Sequence, residues 1–303
     1  MFGLSEMVDA KLMTRKFAVT FGLLLLPACG TSSAPIRFDA AVQPVPVDGS
    51  DAGDAGSILS IDAAFIGDAQ PSEPTPEIFA HSATTLYKVN PDTFAVTTLG
   101  DFKGCDSSVI DLAINEDSVV YATTFGGVYK IDVASATCNT IAKVGSPPNA
   151  LSFVPKGTVD PNAEALVGYI ESSYMRIDTT SGLVTTIGAF SLTGGYTSSG
   201  DLVSVKGGST YLTVKGPNCV GDCLVEVNPT TGAMVKNLGS LKKTDVFGLA
   251  FWRSTVFGFT NGGQLFKIEP SSLTVTDIPL PNALSGLSFW GAGSTTSAPI
   301  GPR

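Results

Sequence analysis

"YATTFGGVYKID", residues Tyr121 to Asp132, holds two short runs of alternating apolar and polar residues around a Gly-Gly pair and closes on an acid. Alternation with period two marks a half-buried strand, and the glycines supply the turn, so the stretch predicts a β-hairpin. Related phrases follow downstream, "YMRID" from Tyr174 and "VFGFTNGGQLFKIE" from Val256. The choice is between a chemical motif and a structural repeat.

Five phrases align and decide for the repeat. They begin at Leu86 ("LYKVNPDTFAVTTLG"), Val128 ("VYKIDVASATCNTIAKVG"), Tyr174 ("YMRIDTTSGLVTTIG"), Leu224 ("LVEVNPTTGAMVKNLG") and Leu265 ("LFKIEPSSLTVTDIP"), at steps of 42, 46, 50 and 41 residues. Several short strands at such a period are the signature of a β-propeller rather than of a helical array. Asn90, Asp132, Asp178, Asn228 and Glu269 share one position. Asn and Asp there bond the backbone two residues on and start a turn, which Glu does less well. Pro91, Pro229 and Pro270 preset the first corner, and Gly182 and Gly232 suit its left-handed end. The recurring acid is therefore a turn-former.

A second phrase precedes each hairpin: "IDLAI" at Ile110, "ALSF" at Ala150, "GDLVSV" at Gly200, "FGLAF" at Phe247 and "SGLSF" at Ser285. It reads as the innermost strand of a blade, followed by an outgoing strand, the hairpin strand and the outer strand. The first blade lacks its inner strand and the last phrase lacks everything after it. A strand from Leu284 to Trp290 is thus expected to pair near Phe79 to Leu86 and close the ring, which removes exposed edges. The expectation is an all-β chain with one propeller of five four-stranded blades over 78–291 and a flexible tail over 292–303. A six-bladed ring with one degenerate blade and an open stack of sheets are the alternatives.

The region Ile78 to Gly291, about 70% of the chain, resembles the bacterial YVTN, WD40-like and quinoprotein-type propellers. "DTTSG" and "NPTTGA" are similar to the Asp-x-x-Thr-Gly turns of quinone-binding propellers, but the tryptophan that follows that turn is absent from every repeat. The resemblance therefore implies the fold and no quinone; no cofactor is expected.

The N-terminus carries an address. From Met13, the expected start, Arg15 and Lys16 precede a largely apolar stretch of ten residues, Phe17 to Leu26. That run is too short to span a bilayer and suits a signal peptide over 1–28. Leu26-Pro27-Ala28-Cys29 resembles the bacterial lipobox, with Pro27 in place of the usual small residue, which implies diacylation of Cys29 and a membrane anchor. By that resemblance Gly30, not Asp, after the cysteine implies the outer membrane or cell surface of a Gram-negative host. Residues 29–77 are rich in Pro, Ala, Asp and Gly and poor in large apolar residues, which predicts a disordered linker reaching about 35–40 Å. Its Asp48, Asp51 and Asp54 miss the spacing of an EF-hand loop.

Composition excludes much. The net charge of −9 with only 18 Lys and Arg opposes nucleic-acid binding. One histidine, His81, leaves little for a catalytic triad or a His-rich metal centre; it reads as an edge-strand side chain. With Cys29 lipidated, Cys105, Cys138, Cys219 and Cys223 remain. "CVGDC" favours a Cys219–Cys223 bridge across its loop, whereas the blade register sets Cys105 and Cys138 at opposite ends of a blade, so they pair or stay free. No metal site is expected.

Asp111 and Asp201 hold one position in two inner strands, where the others have Ala150, Gly248 and Gly286. Two acids at the channel either bind a cation or sugar or hydrogen-bond neighbouring backbone. Loops before the inner strands, at Pro147–Asn149, Gly194–Ser199, Lys242–Asp245 and Pro281–Asn282, are the candidate ligand surface, with Asn149, Tyr196 and Lys243 as side chains to test. The composite expectation is a membrane-anchored module binding a protein or glycan; the alternative is an exported polysaccharide hydrolase or lyase, for which no catalytic constellation stands out.

Overall fold

The computed structural model describes residues 77–281 and 286–301. Cys29, the signal and almost all of the linker, and Asn282 of the last candidate loop, lie outside the described residues. The described chain forms five four-stranded antiparallel sheets arranged as blades.

The first blade takes β1 (Ile78–His81), β2 (Thr85–Val89) and β3 (Val96–Asp101). The second is β4 (Val109–Ile114), β5 (Val120–Thr124), β6 (Gly127–Asp132) and β7 (Thr137–Lys143). The third holds β8 (Asn149–Val154), β9 (Ala165–Ile170), β10 (Ser173–Ile177) and β11 (Val184–Gly188). β12 (Thr197–Ser204), β13 (Thr210–Lys215), β14 (Cys223–Val227) and β15 (Met234–Ser240) make the fourth. The fifth is β16 (Val246–Trp252), β17 (Thr255–Thr260), β18 (Leu265–Glu269) and β19 (Thr274–Ile278), and β20 (Gly291–Ser294) follows. Each blade runs outward from β4, β8, β12, β16 or β20. The quoted hairpin is β5 and β6, with Val120 opposite Ile131 and Thr123 opposite Val128.

Ring closure corrects the sequence reading. The closing strand is β20, "GAGS", not the segment Leu284–Trp290; Ile78 pairs with Ser294 and His81 with Gly291. The chain beyond it is held as well, contrary to the expected flexible tail: Lys206 and Arg253 donate backbone N–H groups to the carbonyls of Thr296 (2.8 Å) and Pro299 (2.9 Å). His81 is also not at an edge, because β1 lies between β20 and β2.

The turns follow the predicted chemistry. Asn90, Asp178 and Asn228 each accept two backbone N–H bonds through Oδ1, and Asp132 accepts one from Ala134 at 3.1 Å. Four residues on from the starter, Phe94, Ala136, Gly182, Gly232 and Leu273 are all left-handed. Glycine is demanded at Gly182, where a Cβ would fall 2.3 Å from that of Ala142, and at Gly232, where Tyr174 fills the space.

Packing between blades comes from rings inserted across the seams. Tyr169 and Tyr174 of the third blade reach the turn of the fourth, donating to the carbonyls of Gly232 (2.6 Å) and Pro229 (2.8 Å). Phe289 packs edge-on to Phe259 at 5.2 Å and to Tyr87 at 6.1 Å, joining the fifth and first blades. Each such fully buried aromatic contributes about 1.5–3 kcal/mol by burial.

Both remaining cysteine pairs are bridged, Cys105–Cys138 with Cα atoms 5.2 Å apart and Cys219–Cys223 at 5.4 Å. The first removes the register conflict. After β3 the chain runs along the outer strand of the next blade, where Lys103 pairs with Thr137, before it crosses to β4.

Candidate functional site

Asp111 and Asp201 sit at the ring axis, and the backbone puts them there. In β4, β8, β12 and β16 the pairing register shifts at the level of Asp111, Ala150, Asp201 and Gly248. Such bulges bend a strand and re-aim its side chains. Thr213 fixes one of them by accepting the Asp201 N–H at 2.9 Å. The equivalent position in the closing strand is Gly291, not Gly286, because its neighbour Ala292 supplies the N–H that other blades supply from Leu112, Leu202 or Leu249.

Both carboxyls are fully buried. Asp111 accepts from Leu112 (2.8 Å) and Leu151 (2.7 Å), and also from the Ala150 N–H. Asp201 accepts from Leu202 (2.6 Å) and Leu249 (2.5 Å), and from Ala292. Together they bind backbone of all five inner strands. They also bond each other, the Asp201 carboxyl donating to Asp111. Burial pushes both well above the usual carboxylate range, and the charge on Asp111 pushes Asp201 further.

His81 completes this cluster. It is fully buried, with Nδ1 donating to the Ser82 carbonyl at 2.8 Å, which leaves Nε2 as an acceptor with no partner among the described residues. A Cβ added to Gly291 would lie 2.3 Å from His81 Nε2 and 2.5 Å from Asp111 Oδ1, so imidazole and carboxyl flank the same glycine. Desolvation lowers the His81 pKa to about 4. Chemically the cluster is a latch: its carboxyls are occupied by backbone and sealed from solvent. Among the described residues no group of three or more His, Cys, Asp or Glu is arranged to hold a metal ion.

One residue above the latch the channel opens into a cavity of about 230 Å³. Every blade contributes the residue just before its latch position: Ile110, Asn149, Gly200, Phe247 and Trp290. Phe125 from the β5–β6 turn, Asn261 and Ser199 complete the wall. A second cavity, about 470 Å³, shares Ile110, Phe125 and Asn149 and runs outward past Tyr169, Glu171 and Ser198. Phe125 is 63% exposed. Other exposed apolar side chains of the same face include Phe190 and Val220, both in blade-connecting or mid-blade loops.

Of the side chains singled out for test, Asn149 lines this mouth, and the candidate loop Gly194–Ser199 adds Ser199. Tyr196 is half-buried and tied down, donating to the Pro217 carbonyl at 2.9 Å and accepting from Asn237 at 3.1 Å. Lys243 pairs with Asp277 at 2.5 Å and lies 5.6 Å from the Phe266 ring centre. Phe125, Phe247, Asn261 and Trp290 escaped sequence reading; Phe247 and Trp290 stand just before the latch position of their blades, and Phe125 and Asn261 open the turns after β5 and β17. Asp222 also escaped. Buried beside the Cys219–Cys223 bridge, it accepts from the Val246 N–H at 2.8 Å and fastens that loop to β16, and desolvation raises its pKa.

No protein-family model matches this chain, and no curated protein matches its sequence. Among solved structures it is similar to hydrazine synthase of Kuenenia stuttgartiensis at 16% identity and a TM-score of 0.39, over 67% of this chain and 62% of that one. It is similar to TolB of Acinetobacter baumannii at 14% identity and a TM-score of 0.39, over 69% of this chain and 51% of that one. The calcium-binding protein regucalcin of Agrobacterium tumefaciens matches at 14% identity and a TM-score of 0.36, over 66% of this chain and 68% of that one. These likenesses concern fold and carry nothing about ligands.

Proposed function

We propose that the protein is an exported, lipid-anchored binding module that presents the mouth of its propeller to a protein or glycan. The lipobox around Cys29 and the Pro- and Asp-rich stretch after it support the anchor and tether. One observation carries the binding role: every blade contributes to a cavity at the channel mouth, rimmed by the exposed Phe125. Pockets built by several elements around a few polar groups are where ligands seat.

The hydrolytic alternative needs two carboxyls facing a glycosidic bond. Asp111 and Asp201 instead hold buried backbone N–H groups, which favours the binding role. The test is capture from intact membranes with the tagged full chain. A partner held by the wild type and lost with Phe125→Ala plus Asn149→Ala supports the reading; a partner held equally by both overturns it. Cys29→Ser is expected to release the protein from membranes, and a variant that stays membrane-bound removes the anchor.

A further inference from the structure

We infer that the two joined cavities at the channel mouth form a site for a neutral oligosaccharide, one sugar ring over the axis and the next along the outer cleft. This rests on the mouth being the binding face and names what that face takes.

The axial wall selects by charge. Among the described residues no Lys, Arg, Asp or Glu side chain lines it, and the carboxyl pair beneath is buried and engaged. A phosphate, carboxylate or ammonium group seated there would lose its hydration with no counter-charge, a cost of several kcal/mol on the order given for buried ions. The wall instead offers three aromatic side chains, Phe125, Phe247 and Trp290, none of which stacks on another ring among the described residues. A pyranose presents a face of C–H groups to such rings and a rim of hydroxyls at right angles to it.

The polar groups fit hydroxyls rather than an apolar side chain. Asn149 is exposed, and its carboxamide makes no hydrogen bond among the described residues, so it offers two donors and an acceptor. Asn261 Oδ1 already accepts from Ser288 at 3.1 Å, which leaves its amide N–H groups to donate. In the outer cleft the exposed Glu171 carboxylate adds an acceptor. An apolar peptide side chain filling the same space would strand these groups, at about 1–3 kcal/mol each. Hydroxyls, each both donor and acceptor, satisfy them. Joined, the cavities reach the size range of ligand sites, about 300–1,000 Å³, and the outer one gives a second ring a place to lie.

The experiment is calorimetric titration of the purified propeller-bearing chain with cello-, xylo-, manno- and malto-oligosaccharides of one to four rings, with sialylated and uronate-containing oligosaccharides beside them. One neutral series is expected to bind, its disaccharide at least about tenfold tighter than its monosaccharide, and at equal affinity in about 0.05 and about 0.5 M salt. Trp290→Ala is expected to lose at least about tenfold on every length; Glu171→Ala is expected to reduce only the disaccharide's advantage. Circular dichroism and a chemical-denaturation midpoint for each variant separate loss of binding from loss of fold. Binding confined to the acidic sugars, or binding of a neutral sugar untouched by both substitutions, overturns the inference. If no sugar binds while membrane capture yields a protein dependent on Phe125 and Asn149, the inference fails and the binding module stands. If capture fails as well, both fail.

Discussion

Asp111 and Asp201 concentrate at two residues the hydrogen bonds that reach all five inner strands. Removing one acceptor leaves two or more buried N–H groups unsatisfied, so Asp111→Ala is expected to cost about 2–5 kcal/mol in urea unfolding. Asp111→Asn, which keeps an acceptor, is expected to cost less. Room for the pair comes from Ala150, Gly248 and Gly291 at the matching positions. Gly291→Ala drives a methyl into His81 and Asp111 and is expected to lower the thermal midpoint by several degrees, about 2–4 °C per kcal/mol at this size. The cluster also sets a pH profile with two limbs. His81 is depressed to about 4 from 6.5, so its contribution is complete above about 6.5 and falls away as pH drops toward 4, by about 3 kcal/mol. The raised carboxyls act the other way: their contribution is complete below the ordinary carboxylate value and fades as pH rises through the raised values. Between about 4 and 6.5 the two slopes oppose each other, and above 6.5 only the fall from the carboxyls remains. In unfolding free energy measured against pH, His81→Gln should steepen the fall between about 4 and 6.5 and Asp111→Asn should reduce it; parallel profiles in all three proteins would sink this account.

At the scale of the element, hairpins were legible and closures were not. β5 and β6 follow from alternation and a Gly-Gly turn, and the turn starters Asn90, Asp132, Asp178 and Asn228 bond as their chemistry dictates. β20 is "GAGS", four small residues with no apolar period, so its only advertisement is the space it fills; the apolar "SGLSFW" beside it drew the assignment instead. Phe289 of that phrase is indeed buried, but as a wedge between blades rather than as a strand residue. The site was half legible. The acids at Asp111 and Asp201 stood out in the inner strands, while their mutual contact crosses the ring, which no local pattern encodes. The bridges differ by the same logic of span. Cys105–Cys138 closes 33 residues and Cys219–Cys223 closes 4, so chain entropy gives about 4 and about 2 kcal/mol. Replacing each pair by alanine and comparing denaturation midpoints should rank the longer loop first.

For the whole molecule, closure decides cooperativity. β20 hydrogen-bonds β1, and the Ala292 N–H reaches Asp201, so one short strand joins the sheet of the first blade to the latch at the axis. A chain ending at Trp290 is expected to lose the single sharp unfolding transition and to expose the edge of β1, which light scattering would report as self-association. If that chain unfolds in one transition at the wild-type midpoint, closure is not what holds the ring.

The position of that strand also imposes an order of events in time. Synthesis runs from the N-terminus, so β1 emerges more than 200 residues before Gly291 to Ser294 can pair with it. Throughout that interval the nascent chain carries four completed blades at most, an open sheet edge and a histidine with half of its pocket missing. The ring becomes itself only on delivery of its last strand, which makes late translation, not early folding, the moment at which this protein most needs protection.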